Sequence, residues 1–202
     1  MTLRLLIPWL LLAGLVQSSG QVPAAIAGSG LANQPAAAGS SLKHFGSIDE
    51  GVYKGSRPKN DADYRFLQSL HVKYIVDLQV IPLLTRLEQR KAKKYGITVI
   101  PGIMNASPFS PSEKHIEHIL AILRDERYHP VYFHCKFGRD RTSIIAALYK
   151  MYFLGMPQQE AVQYLHDSGY AFKFGWLRGG LTRYLKNHPT PPLALNSAAS
   201  EK

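Results

Sequence analysis

Val131-Tyr132-Phe133-His134-Cys135-Lys136-Phe137-Gly138-Arg139-Asp140-Arg141-Thr142 leads from an apolar strand signal, through a short polar loop, into an apolar segment that ends at Phe153. Val131 to Phe133 is a β-branched and aromatic run, the composition of a buried strand. Thr142 to Phe153 is too apolar and too long for a strand and predicts a central buried helix. A loop that joins two such elements stands at the carboxyl end of a strand, where open α/β sheets place their ligands.

The flanking chain repeats the alternation of strand and helix. Val52 and Tyr53 predict a short strand, and Asn60 or Asp61 can cap a helix that runs to about Leu70. Tyr74 to Leu78 is a second buried strand, Pro82 to Lys94 a helix with a basic face, and Thr98 to Ile100 a third strand. Ser110 is the expected N-cap of the next helix, with Pro111 at its first position and Glu113 closing a capping box. Its buried stripe is Ile116, Ile119, Leu120 and Leu123. Gly155 ends the central helix, Pro157 starts another, and the last helix runs from about Trp176 to Lys186. The expected fold class is α/β, a central mainly parallel sheet flanked by helices.

Both ends of the chain differ from this core. Arg4, the apolar run Leu5 to Val16 and the small residues after it read as a signal peptide over residues 1–27. The run is shorter than the ~20 residues a membrane span needs, so no stable membrane insertion is expected after cleavage. Residues 28–43 read as a flexible linker, 44–188 as the folded domain and 189–202 as a Pro/Ala/Ser-rich flexible tail. The expected location is secreted or periplasmic. In 202 residues the chain carries 24 Lys and Arg against 14 Asp and Glu. Such a balance suits a polyanion or an anionic membrane. No nucleic-acid-binding motif accompanies it, so no nucleic acid partner is expected. The chain is expected to work as a monomer.

Cys135 is the one cysteine. It cannot form an internal bridge, so it is either inert or a working thiol, and its neighbours decide for the second. A tight loop at a helix N-terminus points backbone N–H groups inward, and the helix dipole adds about half a positive charge. Gly138 permits a backbone turn that other residues resist. Arg141 can hold two phosphate oxygens through its fork. His134 can order the backbone under the sulfur, and the Thr142 hydroxyl can donate to it. A thiol in such a field gives up its proton readily. The sum is a nucleophile at the bottom of an anion-binding cup.

Five residues separate Cys135 from Arg141, which lets the loop close around one phosphate. His134-Cys135-x5-Arg141-Thr142 resembles the signature of the protein-tyrosine-phosphatase superfamily, most closely its compact dual-specificity branch. Gly51-Val52-Tyr53-Lys54-Gly55-Ser56-Arg57-Pro58 is similar to that branch's entry motif, and Tyr74 to Leu78 to its V-x-D-L strand. The resemblance covers about residues 45 to 187. It implies a compact dual-specificity-phosphatase-like fold and phosphomonoester hydrolysis through a phosphocysteine, with no cofactor and no metal. His115 and His118 have helical spacing but no evident third ligand.

Lys136 and Arg139 either face solvent or extend the cup, together with Phe137 and Gly138. Phosphoinositide and phytase-like members of the superfamily often carry basic residues at the two cationic positions. The resemblance therefore implies a substrate with several phosphates, an inositol polyphosphate, with a phosphoprotein or a phosphoinositide as alternatives. Arg57 and Lys173 are further candidates for binding, or else brace the entry turn and face solvent. The family's usual acid is an Asp about thirty residues before the cysteine, and Pro101 to Pro108 holds no carboxylate. Asp140, inside the loop, takes the role by resemblance to lipid phosphatases, or else braces the loop. Asp77 is the second candidate, more consistent with a structural carboxylate. A catalytically weak phosphate-binding protein and a sulfur-transfer protein remain alternatives from other classes.

Overall fold

The computed structural model describes residues 40–104, 112–170 and 175–189. Five strands form one sheet among them, β1 Gly46–Asp49, β2 Val52–Ser56, β3 Tyr74–Asp77, β4 Thr98–Pro101 and β5 Val131–Cys135, in the order β1-β2-β5-β3-β4. Only β1 runs antiparallel to its neighbour; the pairs β2–β5, β5–β3 and β3–β4 are parallel. The helices are α1 Asp61–Ser69, α2 Pro82–Lys93, α3 Glu113–Arg124, α4 Asp140–Phe153, α5 Gln158–Asp167 and α6 Gly175–Asn187. The mainly parallel α/β architecture expected from the alternation is the one observed. The antiparallel edge strand β1 was not expected.

Side-chain alternation along β5 divides the interior into two layers. Val131, Phe133 and Cys135 face a core built with Ile116, Ile119 and Leu123 of α3, with Ile144, Ile145 and Leu148 of α4, and with Leu165 of α5. Tyr132 faces the other layer, with Tyr64 and Leu67 of α1, Ala92 of α2, Ile75 and Val99. Helix α4 is buried along most of its length because α3 and α5 pack on it from outside the sheet. That burial explains why its sequence shows so little polar face.

Two expected boundaries shift. Residues 40–43, assigned to a linker, are part of the packed structure. Ser41 donates its backbone N–H to Asp63 Oδ1 at 2.6 Å, and Leu42 enters the core. Helix α3 begins at Glu113 with Ser112 as N-cap, and no side-chain cap bond is formed. Ser110 and Pro111 lie outside the described residues. Glu113 is the first residue of α3, not the third as a capping box requires, and its Oε1 accepts from Asn187 Nδ2 at 2.8 Å, which ties α3 to α6.

Asp63 is the main polar anchor of the entry to the sheet's carboxyl edge. It completes the capping box of α1 with Asn60. Its two oxygens also accept from the Lys59 N–H at 2.8 Å and from the hydroxyls of Ser40 and Ser41. Burial pushes this carboxyl up, but the backbone donors outweigh it and hold the group below its ordinary range. A group depressed in this way stabilises the fold above its unfolded pKa and loses that contribution as pH falls through the folded value. Asp63→Ala should destabilise the protein by about 2–3 kcal/mol, since several buried donors lose one acceptor. Urea unfolding at neutral pH measures this, and the difference from wild type should shrink in acid.

Candidate active site

Cys135 is the last residue of β5 and is buried. Its Cα partner across the sheet is Ser56, and that of His134 is Gly55 on one side and Asp77 on the other. From there the chain turns through Lys136 to Arg139 and enters α4 at Asp140. The Cys135 N–H donates to Thr142 Oγ1 at 2.9 Å, a bond that clamps the strand end to the first turn of α4. Thr142 therefore spends an acceptor lone pair on the backbone, while its hydroxyl proton is still available to the sulfur. The first N–H groups of α4 lack helical partners and, with the dipole, favour an anion over this turn.

Gly138 makes the turn possible. Its φ is +72°, and a Cβ there would lie 2.6 Å from the backbone of Gly55 and Ser56. A glycine is thus required for two reasons, the left-handed backbone and the close approach to β2. Gly55 is constrained by close approach alone. A Cβ on it would meet the Tyr132 hydroxyl, which donates to Ser56 O at 2.6 Å.

Beneath the loop, on the face of β5 opposite Cys135, is a buried ionisable cluster. His134 Nε2 lies 2.8 Å from Glu88 Oε1, and His134 Nδ1 lies 3.8 Å from Asp77 Oδ1. Asp77 Oδ1 accepts from the N–H and side-chain amide of Gln79, and Oδ2 accepts from Thr85 Oγ1 at 2.7 Å. Asp77 is thus a structural carboxylate, with both oxygens engaged away from the cup. Burial pulls the His134 imidazole down, but the charge and hydrogen bond of Glu88, with Asp77 and Cys135, outweigh it and raise it. Asp77, Glu88 and His134 place ligand-type atoms within 4.8 Å of one another. Two ligands of one tetrahedral zinc stand ~3.4 Å apart. The 2.8 Å contact has the length of a hydrogen bond.

On the Cys135 side of the sheet the buried group is Lys54, at 1% exposure. Its Nζ donates to His44 O at 3.3 Å and lies 5.9 Å from the Tyr164 ring centre. His44 holds a left-handed φ of +53°, uncommon outside glycine, and its carbonyl meets the ammonium. Burial and the charge of Lys150 pull Lys54 down to about 8, while the Cys135 charge acts in the opposite direction.

The expected binding residues separate into groups. Lys136 and Arg139 both lean on the exposed ring of Phe137, at 5.0 and 5.8 Å from its centre. Two cations of the loop are thereby gathered on one aromatic ring. Asp140 is buried at the start of α4, beside Arg141. Arg57 follows β2 at the same edge but lines a cleft beside α2 with Lys59, Tyr64, Leu84, Leu87 and Glu88. Lys173 and residues 105–108 of the expected acid loop lie outside the described residues. Glu88 and Lys54 were not singled out by the sequence. The available signals were a lysine in step with Val52 on an inward strand face, and a glutamate three residues after Thr85 on one helix face.

A parallel sheet that ends in this cysteine loop defines a known class of protein. The chain belongs to the tyrosine phosphatase family, whose model matches residues 41–153. It is 34% identical over 107 residues to the inositol diphosphatase DSP4 of Arabidopsis thaliana, covering 50% of this chain and 52% of that protein. It is 25% identical over 118 residues to the dual specificity protein phosphatase TpbA of Pseudomonas aeruginosa, covering 53% of this chain and 54% of the other. The chain thus spans about half the length of the curated relatives it matches. The crystal structure of TpbA superposes with a TM-score of 0.57 at 19% identity, over 72% of this chain and 91% of that one. That of PTPMT1 gives 0.54 at 18% identity, over 71% and 94%.

Glu88→Gln should reveal the charge on His134. A group raised by its partner contributes stability that is full below its unfolded pKa, near 6.5, and is lost as pH rises through the folded value. The variant should be less stable than wild type by about 1–3 kcal/mol at mildly acidic pH and by clearly less in alkali. Denaturant melts across that range check the sign.

Proposed function

We propose that the chain is a cysteine-dependent phosphomonoesterase that hydrolyses inositol polyphosphates. The observation that carries this reading is Cys135 at the end of β5, clamped through Thr142 to the anion-favouring start of α4. The Cys135 thiolate attacks phosphorus, a sulfur–phosphorus bond forms and the ester P–O bond breaks. Arg141 neutralises the phosphoryl oxygens, and Asp140 gives its proton to the departing alcohol. A water then attacks phosphorus and passes its proton to Asp140. The thiolate leaves, helped by the Thr142 hydroxyl, and inorganic phosphate is released.

The substrate class rests on charge at the mouth. Lys136 and Arg139, gathered on Phe137, suit an ester with further phosphates, and a single phosphotyrosine does not need them. The naming of the Arabidopsis relative as an inositol diphosphatase supports the same class. The reading of residues 1–27 as a leader supports an exported enzyme, secreted or periplasmic.

The test is phosphate release from inositol hexakisphosphate, a phosphotyrosine peptide and a phosphoinositide. The latter two belong in the panel because TpbA has been solved with pTyr and PTPMT1 with PI(5)P. Inositol hexakisphosphate should turn over, and Cys135→Ser should abolish it. Release from the peptide alone would refute the substrate class. Asp140→Asn should lower kcat by ~10²–10⁴-fold and remove the alkaline limb of its pH profile. Unchanged kcat and profile would show that Asp140 is not the acid.

A further inference from the structure

Helix α2 is inverted relative to an ordinary amphipathic helix. Its buried residues are Thr85, Glu88 and Ala92. Thr85 is bonded to Asp77 and Glu88 to His134, so the inward face is committed to the polar cluster under the loop. At 100° per residue that commitment turns Leu83, Leu87, Arg90 and Lys94 outward as one stripe. Leu83 is 64% exposed, and Ile81 and Leu87 are each 51% exposed. The helix cannot roll to hide them without breaking the two buried hydrogen bonds.

These side chains share an edge with the Cys135 loop. Ile81 and the first turn of α2 follow the carboxyl end of β3, and exposed Ile103 follows that of β4. Ile103 and Pro82 line one cleft with Arg86 and Pro101. Phe137, in the loop itself, is also exposed. Among the described residues, five of the seven exposed large apolar side chains are therefore Ile81, Leu83, Leu87, Ile103 and Phe137, all on the catalytic side. The same helix carries Arg86, Arg90, Lys91 and Lys93, and its one carboxylate, Glu88, is buried. Among the described residues, Lys91 is the one cation of α2 in an ion pair, with Asp61 at 3.3 Å.

We propose that this rim docks the protein peripherally on an anionic lipid surface, with the mouth of the Cys135 loop turned toward the headgroups. Leucine and phenylalanine at a basic margin match the boundary between acyl chains and phosphates, where apolar tips enter and cationic stems reach back to the headgroup level. A stripe that grades from Leu83 and Leu87 to Arg90 and Lys94 offers that order along one helix. The chain's net charge of +10 provides long-range attraction to the same surface. Docking does not depend on which phosphate ester is cleaved, so it stands or falls separately from the substrate reading.

The test uses the full chain and sedimentation with vesicles of phosphatidylcholine, with and without phosphatidylglycerol. Binding should require phosphatidylglycerol and fall as salt is raised. Leu83→Glu/Leu87→Glu should weaken vesicle binding by roughly tenfold or more. Turnover of soluble p-nitrophenyl phosphate should stay at the wild-type level, which also reports an intact fold. Arg90→Glu/Lys94→Glu should weaken binding in the same direction without changing that turnover. Absence of binding to phosphatidylglycerol vesicles would overturn the proposal. So would equal binding by the leucine variant, which would assign the contact to the apolar N-terminal residues or another surface. A change of oligomeric state in that variant, with no loss of vesicle binding, would mark the face as a contact between copies of the chain and overturn it as well.

Discussion

The backbone of Gly138 crosses the end of β2 at Gly55 and Ser56 with no room between them for a side-chain carbon. This contact sets how closely the loop returns toward the sheet, and so where Arg139 to Arg141 enter α4. It depends in turn on Gly55, whose missing side chain leaves space for the Tyr132 hydroxyl to reach Ser56 O. Cys135 is held from the other end, through its N–H on Thr142. Loop, strand and helix start thus form one rigid unit before any ligand arrives, which is what preorganised anion binding requires.

Unusual polarity surrounds that unit. Two buried ionisable systems flank the last residues of β5, with Glu88, Asp77 and His134 on one face and Lys54 on the other. Burying such groups costs stability unless each finds partners. For His134 the partner is Glu88 of α2, 46 residues away in the chain, and for Lys54 it is the carbonyl of His44, 10 residues before it. The sheet edge is therefore built for electrostatics at the expense of an apolar core. The outward leucines of α2 follow from the same choice, because a helix that turns threonine and glutamate inward has nowhere to hide Leu83 and Leu87.

Much of this was legible in the sequence where local signals and tertiary needs agree. Val131 to Phe133, Cys135, Gly138 and the apolar run to Phe153 mark strand, loop and helix without outside help, and Asn60 caps α1 as its type suggests. Strand β1 was missed because Gly46-Ser47-Ile48-Asp49 has little strand propensity of its own and forms by pairing with β2. The start of α3 falls at Glu113 with Ser112 as its cap, and the bond from Asn187 of α6 to Glu113 is a contact that local pattern cannot reveal. Glu88 and Lys54 escaped for a related reason. In sequence each looks like one more charge on a basic, solvated stretch, and only the packing of α2 and β2 turns them inward.

Turnover by the proposed route requires that Cys135 become covalently phosphorylated. Rapid acid quench of the wild-type chain during hydrolysis of inositol hexakisphosphate, followed by mass spectrometry of the peptide spanning Cys135, addresses it directly. One phosphoryl group is expected on the Cys135 sulfur, absent in Cys135→Ser and chased away when turnover is allowed to finish. Steady phosphate release with no modified Cys135 at any quench time, or release that persists in Cys135→Ser, would contradict it.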